Sequence, residues 1–181
     1  MKTFMNYAVI AALLLSFAGC SKDNDLQTEN DGSSSALKST VIKTIKIHNS
    51  SGIMDFIFSP DNPCFAAGFA QASITGSGNA THLGKFNLES HFCVNEQGLP
   101  TSSMNGSLTA ANGDKILIFM EDPSTGFYFD PNDGLFHMEF TVVGGTGRFA
   151  NATGNISNWG HVDFVNKIWD FKGEGTITCQ N

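Results

Sequence analysis

Strict two-residue alternation is the feature that most narrows the folds open to this chain. From Phe86 to Val94 one face carries Phe86, Leu88, Ser90, Phe92 and Val94, and the other carries Asn87, Glu89, His91 and Cys93. Leu135 to Val143 repeats the pattern, with Phe136, Met138, Phe140 and Val142 against Leu135, His137, Glu139 and Thr141. Successive side chains of a strand point to opposite faces, so this period reads as half-buried β-structure. No long stretch after residue 39 repeats every 3.6 residues.

Between such runs lie turn residues. Val41 to His48 alternates, and Ile53 to Phe58 is a second run, closed by Ser59-Pro60-Asp61-Asn62-Pro63. Gly68 to Thr75 and Ala80 to Lys85 are bounded by glycine. Ser103 to Ala110 and Lys115 to Glu121 flank Asn112-Gly113, a strong hairpin signal. Asn151 to Asn158, Val162 to Phe171 and Gly175 to Cys179 complete about eight to ten predicted strands, a count the strand rules support as a sandwich or a barrel. Several strands are apolar on both faces: Ile116, Ile118 and Met120 oppose Leu117 and Phe119, and Val162, Phe164 and Ile168 oppose Val165, Trp169 and Phe171. One face fills an interior, and the other calls for cover by a flanking segment or another subunit.

The amino terminus has a different character. Lys2 precedes an apolar run from Tyr7 to Gly19, broken only by Ser16. This is the layout of a secretory signal, and at roughly 13 residues it is shorter than the roughly 20 a spanning helix needs. Phe17-Ala18-Gly19-Cys20 resembles a lipobox, with Phe17 where Leu is more usual. The resemblance implies that residues 1–19 are removed and that acyl chains on Cys20 tie the protein to membrane lipid, each buried methylene adding about 0.8 kcal/mol. Ser21-Lys22-Asp23-Asn24-Asp25 resembles the lysine-then-acid tag of Bacteroidetes surface lipoproteins. The expected location is therefore the outer membrane, with exposure at the cell surface. Residues 20–39 are Ser, Asp, Asn, Gly and Thr with few apolar side chains, a composition too poor in apolar surface to offset ordering, and read as a tether. Residues 40–181 form the single folded domain.

Charge and cysteines bound the chemistry. Without Lys2, nine basic residues stand against 17 acidic ones, a formal charge of −8, and Arg148 is the sole arginine. That leaves no footprint for nucleic acid. Export permits disulfides, and Cys64, Cys93 and Cys179 are an odd set once Cys20 is set apart. Cys64 with Cys93 is the preferred bridge, and Cys64 with Cys179 the alternative. No cysteine-histidine cluster has zinc spacing. Asp130-Pro131-Asn132-Asp133-Gly134 lacks the glutamate of a calcium loop and reads as a tight turn. No metal or cofactor is expected.

Glu139 to Gly154, with Gly144-Gly145-Thr146-Gly147-Arg148 at its centre, resembles the signature of plant dirigent proteins, within the wider allene oxide cyclase-like superfamily. Ala80 to Phe86 is similar to a recurring segment of bacterial relatives. The resemblance covers most of residues 40–179. It implies an all-β fold, an antiparallel eight-stranded barrel with an apolar central pocket, and association as a trimer or other multimer. It does not carry over a reaction. Ala150 and Thr153 stand where dirigent proteins usually have arginine, and threonine supplies no fixed cation. Glu89 and Glu139 are candidates for a pocket glutamate, but both fall on faces that read as outward. The glycine stretch lacks the Lys-Ser/Thr ending of a phosphate loop and reads as a structural turn.

The candidate ligand-binding residues are Phe127, Tyr128, Trp159 and His82. The first two lie in an aromatic triplet expected at a barrel mouth, and Trp159 could stack on a glycan or an apolar molecule. His82 sits in the turn Thr81-His82-Leu83-Gly84. Catalytic residues are not assigned. Two functions are carried forward: a binding or structural barrel on a lipid anchor, and an isomerase or cyclisation-guiding enzyme acting on a small apolar substrate. The second expects a cavity of at least about 300 Å³ with two or more inward polar groups.

Overall fold

The computed structural model describes residues 40–180. The signal segment, Cys20 and the tether lie outside the described residues. Nine strands are present among the described residues: β1 (Thr40–Ile57), β2 (Ala70–Ala80), β3 (Gly84–Val94), β4 (Met104–Ala110), β5 (Lys115–Met120), β6 (Phe127–Phe129), β7 (Leu135–Gly145), β8 (Thr153–Asp163) and β9 (Ile168–Gln180). They pair antiparallel in the order β5-β4-β3-β2-β1-β9-β8-β7, and β5 pairs with β7 to close the ring. The result is an antiparallel eight-stranded barrel. The ninth strand, β6, takes over the edge of β7 at Phe136–Met138, above the stretch where β5 pairs with Thr141–Gly145. Closure leaves no long unpaired edge in the ring.

The alternation places the core as expected. Phe86, Leu88, Ser90, Phe92 and Val94 are all buried, as are Phe136, Phe140 and Val142. Ile116, Ile118 and Met120 point inward, whereas Leu117 is exposed on the outer wall.

Three departures have local causes. The runs Val41 to His48 and Ile53 to Phe58 are one strand. Its register shifts between Ile47 and Asn49 on β2 and between Ile47 and Ser50 on β9. Ile45 and Ile47 are buried before that bulge, and Ser50 and Met54 after it. An inserted residue flips the faces, so one strand imitates two. Conversely, Val162 to Phe171 is not one run but a hairpin, with a turn between β8 and β9. Val165 stands exposed at its tip, Ile168 points outward, and Trp169 and Phe171 fill the interior. Residues 80–85, read as one strand, straddle the hairpin between β2 and β3, with the turn at 81–83.

A short helix, α1 (Pro63–Ala67), lies in the β1–β2 connection. Asn62 caps it by accepting the Cys64 amide at 2.9 Å, and Pro63 opens its first turn. The Cys64–Cys93 disulfide joins this helix to β3. The preferred pairing is the one formed, and Cys179 is buried on β9.

One end of the barrel is sealed. There the glycine stretch makes a single 3-10 turn, Gly147–Phe149, that drives Phe149 into the interior at 2 % exposure. Gly147 has φ +57° and packs on Asp114, where a side chain would collide. Arg148 reaches Asp114 at 3.5 Å and the Leu83 carbonyl at 3.4 Å, tying three bottom turns together. This is a structural floor, and strand β8 rather than a helix follows it.

Candidate functional site

The opposite end of the barrel leads into an interior cavity of about 70 Å³. Its wall is aromatic and aliphatic: Phe92, Phe136, Phe140, Trp169 and Phe171 contribute rings, and Met54, Met104 and Met138 contribute flexible thioethers. Trp169 and Phe171 stack at 5.2 Å between centroids, and the Trp169 indole N–H donates to the Ile53 carbonyl at 3.1 Å. The wall is therefore rigid on the β9 side and adaptable where methionines line it.

Only two polar side chains line the cavity, Ser90 and Asn158. The Ser90 hydroxyl donates to the Asn105 carbonyl at 2.8 Å. Asn158 is 4 % exposed, and its Oδ1 has no hydrogen-bond partner. No aspartate, glutamate, histidine, lysine, arginine, tyrosine or cysteine is among the lining residues. Glu89 and Glu139 are on the outer face, as their alternation predicted, and Ala150 and Thr153 are exposed.

Three connections cover the mouth. Gly98 and Pro100 come from the β3–β4 loop, Phe127 from β6, and Val162 and Phe164 from the end of β8 and its turn. Phe164 meets Phe129 edge-on at 5.5 Å, and Phe129 stacks on Phe127 at 6.5 Å. A side chain at Gly98 would come within 2.9 Å of the Phe164 ring. The Asp163 carboxylate fixes the turn that carries Phe164. It accepts the amides of Val165 and Asn166 at 2.9 Å and the Asn166 side chain at 2.6 Å. The Asn166 backbone N–H, then its side chain, hold the Asp163 carboxyl below its ordinary range.

The barrel is similar in fold to those of dirigent proteins. Two solved structures similar to this chain are the pterocarpan synthase dirigent proteins GePTS1 and PsPTS1. The first matches with a TM-score of 0.54 and 11 % identity over 80 % of this chain and 88 % of its own. The second matches with a TM-score of 0.53 and 11 % identity over 78 % of this chain and 97 % of its own. At this identity the likeness is one of fold. No protein-family model and no curated protein matches the sequence.

On this barrel the four candidate residues separate. Phe127 lines the cavity at its mouth. Tyr128, its neighbour, points outward and is 62 % exposed. Trp159, 44 % exposed, is also outside, and the register aligns Tyr128, His137 and Trp159 across β6, β7 and β8. His137 bonds Ser157 at 2.8 Å and Glu139 at 2.9 Å, and Ser157 donates to Glu139 at 2.6 Å. His82 is exposed in the β2–β3 turn at the sealed end, with φ +61°, and is not among the lining residues.

Asn158, Ser90, Gly98 and Phe164 were not singled out in the sequence. The signal for Asn158 was present. Ile156 and Asn158 share a face of β8, but a strand read as ending at Asn158 leaves that residue looking like a turn. Gly98 and Phe164 sit in connections, where alternation says nothing.

Proposed function

We propose that this chain is an exported lipoprotein, held in the outer membrane by acyl chains on Cys20 and exposed at the cell surface, whose barrel binds a small neutral apolar molecule in its interior. The observation that carries the binding reading is an aromatic and methionine-lined cavity whose only polar side chains are Ser90 and the buried Asn158. Apolar walls with a few placed polar groups are the usual make-up of a small-molecule site. A volume of about 70 Å³ sets the scale. It is well below the roughly 300 Å³ of common ligand sites. The ligand is therefore compact, or it displaces the methionines and the Phe164 ring as it enters.

Binding ranks ahead of catalysis on the character of the wall. Proton transfer needs an acid or base within hydrogen-bond reach of the reacting atom, and no lining residue ionises. A barrel that only orients a reactive molecule needs no such group, and cyclisation guidance fits these walls in that form.

The deciding experiment is ligand identification on protein extracted from its native membrane, alongside a Cys20→Ser form. An apolar molecule co-purifying with the folded barrel, together with loss of membrane attachment in the Cys20→Ser form, is the expected result. An empty barrel that takes up no apolar probe would overturn the binding reading. A Cys20→Ser protein that stays with the membrane would overturn the anchor.

A second site is supported by the outer row Tyr128-His137-Trp159. Two exposed rings about 10 Å apart, two inter-strand spacings, flank hydrogen-bonding groups that match the alternating apolar faces and hydroxyls of a glycan. Self-association is proposed lower on the same wall, toward the sealed end, where Leu117 on β5 is 38 % and Val143 on β7 is 54 % exposed. Light scattering on the purified domain reads it directly: a trimer or other multimer is expected, and a monomer at high concentration removes it.

A further inference from the structure

Folding separates the charges of this acidic chain between the two ends of the barrel. Lys46, Lys85 and Lys115 are distant in sequence, and all three are exposed around the sealed end. Backbone hydrogen bonds fix them there. The Thr81 amide donates to the Lys46 carbonyl at 3.0 Å, the Ala111 amide to the Lys85 carbonyl at 3.2 Å, and the Thr146 amide to the Lys115 carbonyl at 2.9 Å. Each lysine thus flanks one of the three turns of the floor, and Arg148 stands in the third. Asp114 is the one acid in those turns, and Arg148 meets it at 3.5 Å. Glu174 lies opposite Lys46 in the β1–β9 register. The mouth has the opposite sign. Its connections carry Asp61, Glu96, Asp122, Asp130, Asp133 and Asp163. Lys167 is the one basic residue in those connections, and it faces Asp55 at 3.8 Å.

The chain also enters at the basic end. β1 begins at Thr40 but meets β2 only from Ile47, the partner of Ala80, so its first residues reach past β2 to the floor. Ile42 is 71 % exposed there. Cys20 precedes this point by a stretch that spans at most about 70 Å even when fully extended.

We infer that the sealed end is a membrane-docking face. Lys46, Lys85, Lys115 and Ile42 rest on the anionic phosphate headgroups of the bilayer that holds the Cys20 anchor, and the mouth opens away from it. Each basic residue near an anionic lipid surface strengthens attachment by about fivefold. The anchor makes the contact intramolecular in effect, so a few lysines suffice. The same surface repels the acidic mouth, and the two ends together enforce one orientation. Phe58 and Phe65 are exposed near the mouth, but Asp61 lies between them in sequence and would be carried into the headgroups with them. With the mouth outward, the interior ligand arrives from the medium rather than from the bilayer.

This inference rests on the anchor reading, and the test separates the two. Full-length protein purified from its native membrane is placed on vesicles of phosphatidylcholine alone, and of phosphatidylcholine mixed with phosphatidylglycerol. Lysines are acetylated with a neutral reagent, and the rate at each is read by mass spectrometry. Lys46, Lys85 and Lys115 should label about fivefold more slowly on the anionic vesicles, with Lys167 unchanged, and high salt should remove the difference. Lys85→Glu combined with Lys115→Glu should restore fast labelling of Lys46 on the same vesicles, and a Lys46 that stays slow overturns the electrostatic docking. Equal rates at the floor on both compositions overturn the inference, including rates slow on both because the acidic segment 23–31 or a second copy covers the floor. Slowing at Lys167 alone also overturns it, since that puts the mouth on the membrane. Attachment is scored separately. Protein washed off both kinds of vesicle by high salt overturns the anchor, while slowed floor lysines before the wash still support the docking.

Discussion

Asn158 and Gly173 are register partners across β8 and β9, and the Asn158 amide oxygen occupies the space that a side chain at 173 would take. The glycine thus makes room for the polar group of the cavity wall. It does so on one strand while Trp169 and Phe171 build the aromatic wall four and two residues earlier on the same strand.

Gly173→Ala should therefore damage both the fold and the site. The new methyl group meets the Asn158 oxygen and also the Ser157 carbonyl at 2.7 Å, which is backbone and cannot move aside alone. Overpacking of this kind costs typically 1–3 kcal/mol, so a loss of about 2 kcal/mol is expected in urea denaturation. A stability unchanged within error would show that the strand pair has slack here.

The turn that carries Phe164 should respond to acid in a defined window. Hydrogen bonds from Asn166, first its backbone and then its side chain, lower the Asp163 carboxyl below its ordinary value of 3.8. A depressed carboxyl contributes stability that is fully present above 3.8 and is lost as the pH falls through the lower folded value. Hydrogen exchange at Val165 and Asn166, corrected for intrinsic rates, should be flat from neutrality down to about 3.8, quicken as the pH falls from there through the lower folded value, and level off below it. Asp163→Ala should quicken it at every pH and speed the release of an interior probe, because Phe164 loses its fixed position over the mouth. Unaltered probe release in Asp163→Ala would mean that Phe164 does not gate the cavity.

The Cys64–Cys93 bridge closes a loop spanning 29 residues of sequence separation. Loop-closure entropy for that length corresponds to about 3.5 kcal/mol. Cys64→Ser combined with Cys93→Ser should lower unfolding stability by about 3 kcal/mol, with α1 and its cap at Asn62 the first region to gain hydrogen exchange. A uniform rise in exchange across the barrel instead would show that the bridge supports the whole ring rather than the helix.

Much of this architecture was readable before any coordinates. Alternation at Phe86 to Val94 and at Leu135 to Val143 assigned the inner faces, and the glycine stretch from Gly144 to Gly147 marked the turn that became the floor. The unread parts have physical reasons. A bulge at Ile47/Ser50 inverts the faces of β1, so the period breaks where the strand does not. The β8–β9 turn contains Phe164, Val165 and Lys167 rather than glycine or proline, and it is set by Asp163 and a left-handed Lys167. Apolar residues in a turn look like strand, and this one is apolar because it covers the cavity. Asn158 was hidden for a related reason. A polar residue on an inner face contradicts the pattern used to find inner faces.

The outer row offers a test independent of the interior. Tyr128, His137 and Trp159 are aligned across three strands, with Lys172 following Trp159 on β9. Tyr128 and Trp159 are on the surface, so replacing them with alanine should move stability by less than about 0.5 kcal/mol. If the row binds glycans, Trp159→Ala should abolish retention on a polysaccharide column and Tyr128→Ala should weaken it, while His82→Ala at the sealed end leaves it unchanged. His137→Ala should weaken binding by a further mechanism, since it removes the imidazole that Ser157 and Glu139 meet at 2.8 and 2.9 Å. Retention equal in all four proteins would remove the glycan reading and leave these rings as an uncovered part of the barrel wall. Interior probe affinity, measured on the same variants, should be the same as in the unaltered protein, because neither Tyr128 nor Trp159 lines the cavity.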